Sequence, residues 1–152
     1  MLMIYDLIIV CFCLSSMSTS NPWFNRVTTV QDAANWTLSF FETNANLSNA
    51  LTNKPQMYIA ETGWPTFSST AQGWSNGVSD ASEPNLQISI NNFVCMANAH
   101  SIKYFIYEFT DSPWMQRLSP GSDGFNSLFH NNRTLKALTL PDCAQVGDDL
   151  MG

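Results

Sequence analysis

Two short stretches of the sequence carry the residues best suited to chemistry. One is Glu61-Thr62-Gly63-Trp64-Pro65, and the other runs Glu108-Phe109-Thr110-Asp111-Ser112-Pro113-Trp114. Each follows an apolar run, Gln56 to Ala60 in the first case and Ile102 to Tyr107 in the second. Each then gives acidic residues and a tryptophan beside a proline. Burying a carboxylate behind apolar residues costs several kcal/mol unless it is paired or put to use. Cleavage of a glycosidic bond uses two carboxyl groups, one attacking and one protonating the leaving oxygen. Tryptophan beside such groups suits a sugar, because the flat apolar face of a pyranose packs on an indole.

Structural roles compete with these. Glu61 can cap the following turn or pair with Lys54 or Arg26, and Trp64 and Trp114 can each be core. The joint occurrence of acid, aromatic and proline after both runs favours a site. His100 and His130 have no partner at ligand or triad spacing and read as surface residues. No glycine-rich phosphate loop and no metal-ligand spacing is present, so no metal or cofactor is expected.

Elements must position these groups. Ala33, Trp36 and Phe40, with Ala34, Leu38 and Phe41, follow helical spacing and predict a helix over about residues 30–50, ended by Asn53-Lys54-Pro55. Gln56 to Ala60 reads as a buried parallel strand. Thr66 to Glu83 reads as a long surface loop. Pro84 opens a second helix to about Ala99, with Leu86, Ile90, Phe93, Val94 and Ala97 on its apolar face. Ile102 to Phe109 reads as a second strand, and Thr110 to Asp123 as another loop. Alternation of helix and strand predicts an α/β parallel sheet. Sites in such folds lie at the C-terminal strand ends, so both sets of carboxylates reach one face.

Bulk properties narrow the partners. Of 152 residues, 45% are apolar and only 12% charged, with a net charge of -6. Nucleic acid needs a basic stripe, so it is excluded as a partner. Anionic membranes would repel the chain, and stable membrane insertion is not expected; a neutral polymer makes no demand on charge. Asn35-Trp36-Thr37, Asn46-Leu47-Ser48 and Asn132-Arg133-Thr134 are glycosylation acceptors if the chain enters the secretory route. Residues 1–20 have the apolar core of a signal peptide, Leu7 to Leu14, but no Lys or Arg before it and Asp6 in its place. A cleaved signal and a leader foreign to the fold are both open, with residues 144–152 a polar tail. Cys11 and Cys13 lie in that leader. Cys95 and Cys143 read as a disulfide, against the alternative of a buried free Cys95 and an incidental Cys143.

Glu61-Thr62-Gly63-Trp64-Pro65 resembles the nucleophile motif of glycoside hydrolase family 17, the endo-β-1,3-glucanases and related cell-wall glucanases. Asn21-Pro22-Trp23-Phe24, Gln31-Asp32-Ala33-Ala34, Lys54-Pro55, the stretch Tyr107 to Trp114 and the segment Asn131 to Cys143 resemble fungal members. The resemblance spans residues 21–143. It implies the C-terminal portion of a (β/α)8 barrel and a retaining mechanism on β-1,3-glucan, in a secreted or cell-wall protein. Glu61 maps onto the nucleophile. Glu108 maps onto a cleft glutamate that binds or orients sugar, with Tyr107, Asp111, Trp64 and Trp114 also at the substrate. The family's acid/base Glu follows an Asn at the end of strand four, and no Asn-Glu pair occurs here. Ser112 and Asn21 depart from the usual Glu and His. A complete barrel takes about 250 residues, so a partial barrel of low stability and little activity is expected. A glucanosyltransferase on the same fold, or a non-catalytic glucan-binding remnant, are the other readings.

Overall fold

A computed structural model describes residues 15–19, 22–24, 28–67, 75–117 and 124–143. The rest of the leader with Cys11 and Cys13, the motif residue Asn21, the candidate partner Arg26 and the polar tail lie outside them. The elements, in chain order, are β1 (Ser15–Thr19), α1 (Ala33–Asn49), β2 (Gln56–Thr62), α2 (Glu83–Ala99) and β3 (Tyr104–Ile106), with short 3₁₀ turns at Pro22–Phe24 and Pro113–Arg117. The three strands form one parallel sheet in the order β1-β2-β3. The expected α/β alternation is therefore present. Part of the segment read as a leader, Ser15–Thr19, serves as an edge strand of the sheet.

Helix α1 starts at Ala33, three residues later than the spacing predicts. The preceding Thr29 and Asp32 are tied to each other, Thr29 Oγ1 donating to Asp32 Oδ2 at 2.7 Å and Asp32 N–H donating back to Thr29 Oγ1 at 3.2 Å, which holds residues 30–32 in a turn. The helix stops before Pro55, which disfavours helical backbone at the residue ahead of it; Lys54 there takes φ 42°. Helix α2 begins one residue before Pro84. Ser82 is its cap, its hydroxyl accepting from the Asn85 N–H at 3.2 Å.

Both helices pack on the same face of the sheet. Ile59 of β2, fully buried, meets Ala34 of α1, Phe93 and Ala97 of α2, and Ile102. Tyr104 and Ile106 of β3 lean on this cluster, whereas Phe105 between them is exposed on the other side. A second cluster joins Trp23, Val30, Ala33, Trp64, Leu86 and Ile90. Among the described residues no helix is long and apolar enough to cross a membrane.

Strand β3 is shorter than the predicted Ile102 to Phe109. Tyr107 N–H still donates to the Thr62 carbonyl at 2.9 Å, and then the chain leaves β2 through a cis Tyr107–Glu108 peptide. The carbonyls of Glu108 and Phe109 accept from the N–H groups of Leu128 and Phe129 at 3.1 and 3.0 Å. Leu128 and Phe129 thus take the backbone bonds that a longer β3 would have given to the sheet.

Candidate active site

Strand β2 contains an irregularity at its functional end. Against β1, Ser18 faces Ile59 and the next residue, Thr19, faces Glu61; against β3, Tyr104 and Ile106 face Ile59 and Thr62. One extra residue therefore sits in β2 between Ile59 and Thr62, a β-bulge relative to both neighbours. Regular alternation would put residue 61 on the face of Ile59. With the bulge, Ile59 and Thr62 both turn to the helices, at 0% and 3% exposure, and Glu61 is exposed on the open face with Phe105. Among the described residues Glu61 forms no ion pair, so the alternative of a Lys54 partner is not realised.

The residues after Glu61 anchor it. Gly63 lies against β3's continuation so closely that a β-carbon there would stand 2.8 Å from the Tyr107 carbonyl oxygen. Trp64 is fully buried, its indole N–H donating to the Asp80 carbonyl at 3.0 Å and its ring meeting Trp23 edge-on at 5.1 Å. The expected role of Trp64 as a sugar platform does not fit this placement, because none of the indole face reaches solvent. The side chain is core, and it holds the turn that carries Glu61.

Glu108 lies two residues beyond β3, where the chain turns away from β2. Its Oε2 accepts from the Ser112 hydroxyl at 2.9 Å, and its Oε1 is buried without a partner among the described residues. Burial pushes the carboxyl above the ordinary carboxylate range, and Asp111 adds to that; the Ser112 bond and Lys136 pull the other way. Tyr107 points its hydroxyl at the sulfur of Met115, 3.3 Å away. Trp114 is 58% exposed, as a ring available to a ligand must be.

Asp111 has a second commitment. Its Oδ1 accepts from Lys136 Nζ at 2.8 Å and from the Ser127 hydroxyl, and only 8% of its side chain is exposed. Lys136 is 1% exposed and also reaches Thr66 Oγ1 at 2.6 Å. Burial lowers the ammonium below its ordinary range while the Asp111 bond works against that shift. This pair ties the turn after Glu61 to the turn after Glu108. Sequence reading missed Lys136, since nothing in a lone lysine 25 residues from Asp111 announces a partner.

A cleft of about 310 Å³ opens beside the network, lined by Thr66, Phe67, Glu83, Asp111, Phe125 and His130 among others. Glu61, Glu108 and Trp114 do not line it. The Phe67 and Phe125 rings meet edge-on at 4.9 Å along its wall. His130 is a correction to the reading of a partnerless surface residue. Its Nε2 is 3.6 Å from Glu83 Oε1 and its Nδ1 3.9 Å from Asp111 Oδ2. The separation of 47 residues between Glu83 and His130 hid the first contact from any local pattern. His100 is exposed, as read. Cys95 of α2 and Cys143 of the tail form a disulfide with a Cα–Cα distance of 5.1 Å, which settles that pair. Asn35, Asn46 and Asn132 are all exposed.

No protein-family model matches the chain. It is 34% identical, over 84% of its length, to the putative glucan endo-1,3-beta-glucosidase btgC of Aspergillus niger, and 32% identical, over the same share, to the glucan endo-1,3-beta-glucosidase btgC of Emericella nidulans. The chain spans about a fifth of the length of these relatives: 20% and 21%. Its fold is similar to that of the glycoside hydrolase family 17 beta-1,3-glucanosyltransferase from Rhizomucor miehei, with a TM-score of 0.69 and 22% identity over 82% of this chain and 42% of that one. The resemblance found in the sequence therefore holds, and it is to the C-terminal part of these enzymes.

Proposed function

We propose, from this resemblance to glycoside hydrolase family 17, that the chain carries the attacking half of a retaining site for β-1,3-glucan, with Glu61 as the nucleophile. The observation that carries the reading is the bulge in β2. It takes a glutamate from a strand whose neighbours are buried and sets it on the open face, at the C-terminal end of a parallel sheet. The sheet with α1 and α2 on one side fits the C-terminal portion of a (β/α)8 barrel, where sites gather at that end.

In the proposed reaction Glu61 attacks the anomeric carbon of a glucose unit as the glycosidic carbon–oxygen bond breaks. The leaving oxygen takes a proton from a second carboxyl, about 5–5.5 Å from the first in retaining enzymes. The resemblance assigns that acid to a strand with no counterpart in this sequence. Glu108, whose unpartnered Oε1 and raised pKa equip it to donate or accept a hydrogen bond, binds sugar hydroxyls. Trp114 offers its exposed face to a ring, and Tyr107 bonds through its hydroxyl to Met115, the next residue in the chain. Asp111 acts through Lys136 rather than on sugar. Water completes hydrolysis and a sugar hydroxyl completes transfer, so both outcomes share the Glu61 step. The disulfide and the acceptor triplets support a secreted or cell-wall setting.

The test isolates attack from proton donation. A 2,4-dinitrophenyl 2-deoxy-2-fluoro-β-laminaribioside has a leaving group that needs no acid. The expected result is a covalent glycosyl adduct on Glu61, located by peptide mass spectrometry, and none on Glu61→Gln. Absence of an adduct, or an adduct elsewhere, overturns the assignment.

A further inference from the structure

The three Asn-x-Ser/Thr triplets are not equivalent in the fold. Transfer of a glycan needs the asparagine amide and the hydroxyl two residues later to be presented together. In an α-helix, residues two apart point about 200° from each other. A helix that exposes the asparagine therefore turns the hydroxyl inward. Helix α1 does this twice. Asn35 is exposed and Thr37 is 0% exposed; Asn46 is exposed and Ser48 is 6% exposed, its hydroxyl donating to the Pro55 carbonyl at 2.8 Å.

The third triplet lies at the tip of a short hairpin. Phe129 and Leu135 form an antiparallel bridge, and inside it the His130 carbonyl accepts from the Arg133 N–H at 2.8 Å. Arg133 takes φ 67°, which folds the chain back at the middle of the triplet. Asn132, Arg133 and Thr134 are all exposed. Asn132 Oδ1 accepts from the Thr134 N–H at 3.0 Å and from its hydroxyl at 2.7 Å. The carboxamide and the hydroxyl thus share one side of the turn, and the amide nitrogen makes no hydrogen bond among the described residues. Below the tip, Lys136 pins the hairpin to Asp111, so the turn is presented on a fixed base.

We propose that Asn132 is the glycosylation site of the folded chain, and that Asn35 and Asn46 are closed to modification once α1 has formed. The donor is a lipid-diphosphate-linked oligosaccharide. A bond forms between Asn132 Nδ2 and the sugar's anomeric carbon, the bond from that carbon to phosphate oxygen breaks, the lipid diphosphate leaves with the electron pair, and the amide nitrogen gives up a proton. His130 and Asn131 line the cleft beside this turn, so the glycan stands at the cleft's rim. This proposal does not depend on the role of Glu61.

The test uses the full chain made without glycans and with the Cys95–Cys143 bridge intact. It is incubated with purified eukaryotic oligosaccharyltransferase and the lipid-linked donor, beside a reduced and alkylated sample. Site occupancy is read by peptide mass spectrometry. In the folded chain Asn132 is expected to be occupied at least tenfold more than Asn35 or Asn46, and alkylation is expected to bring the three within a factor of a few. Thr134→Ala removes the Asn132 signal alone. Equal occupancy of Asn35 or Asn46 in the folded chain, or Asn132 left bare there, overturns the proposal.

Discussion

The carbonyl oxygen of Tyr107 stands 2.8 Å from the place a β-carbon on Gly63 would occupy. Backbone meets backbone here, with no flexible side chain to yield. Gly63→Ala must push β2's exit away from Tyr107 and Glu108, and overpacking of this kind costs about 1–3 kcal/mol. Urea denaturation is expected to show that loss, and the fluoro-glycoside is expected to label Glu61 more slowly.

Lys136 and Asp111 are both nearly excluded from water, at 1% and 8% side-chain exposure. Removing one leaves the other charge buried and unpaired, at a cost of about 3–5 kcal/mol. Lys136→Met is expected to lose that much in chemical denaturation. The double variant Lys136→Met, Asp111→Asn is expected to recover a large part of it. Equal stability of the single and double variants would show that the pair is not coupled.

Glu108 gives a pH-dependent effect whose sign is fixed by its environment. Its pKa is raised, chiefly by burial, so the folded chain binds its proton more tightly than the unfolded chain. Its contribution to stability therefore declines as pH rises from the ordinary carboxylate range through the raised value, and the full penalty is present above it. Glu108→Gln is expected to melt at a higher temperature than the parent near neutral pH, with the difference closing at about pH 3, where the parent carboxyl is protonated in both states. A difference that grows on acidification contradicts this.

The disulfide closes a loop of 48 residues between α2 and the tail. In the chain-entropy model such a closure stabilises by roughly 4 kcal/mol. Cys143→Ser is expected to lose about that amount, and reductant is expected to lower the melting temperature of the parent but not of the variant.

The sequence was most legible where pattern is local. Both helices, the core strand β2 and the order from α1 to β3 follow from apolar spacing and from Pro55 and Pro84, whereas β1 lies in a segment read as a leader. Boundaries moved where side chains made short-range bonds: Thr29 with Asp32 delays α1, and the Ser82 cap advances α2. The candidate site was legible in its residue types and less so in their roles. Trp64 reads as a sugar platform beside Glu61, but only the fold shows Trp23 edge-on to it and Asp80 on its indole N–H. Lys136 and His130 gain their meaning from partners distant in sequence, which no spacing rule reaches. The bulge at the end of β2 is equally silent, since the run Gln56 to Thr62 contains no glycine to mark it.

That bulge makes the position of Glu61 a matter of counting. A substitution at Ala60 changes a side chain, whereas its deletion removes the extra residue and seats Glu61 directly after Ile59, where regular alternation alone keeps it on the open face. A strand that kept Ala60 but lost the bulge would instead rotate the glutamate to the side of Phe93 and Ala97, among apolar helix residues. The five letters from Glu61 to Pro65 would survive intact, and a comparison that scores only letters would report the motif as present. What the strand carries is a parity, and the bulge sets it.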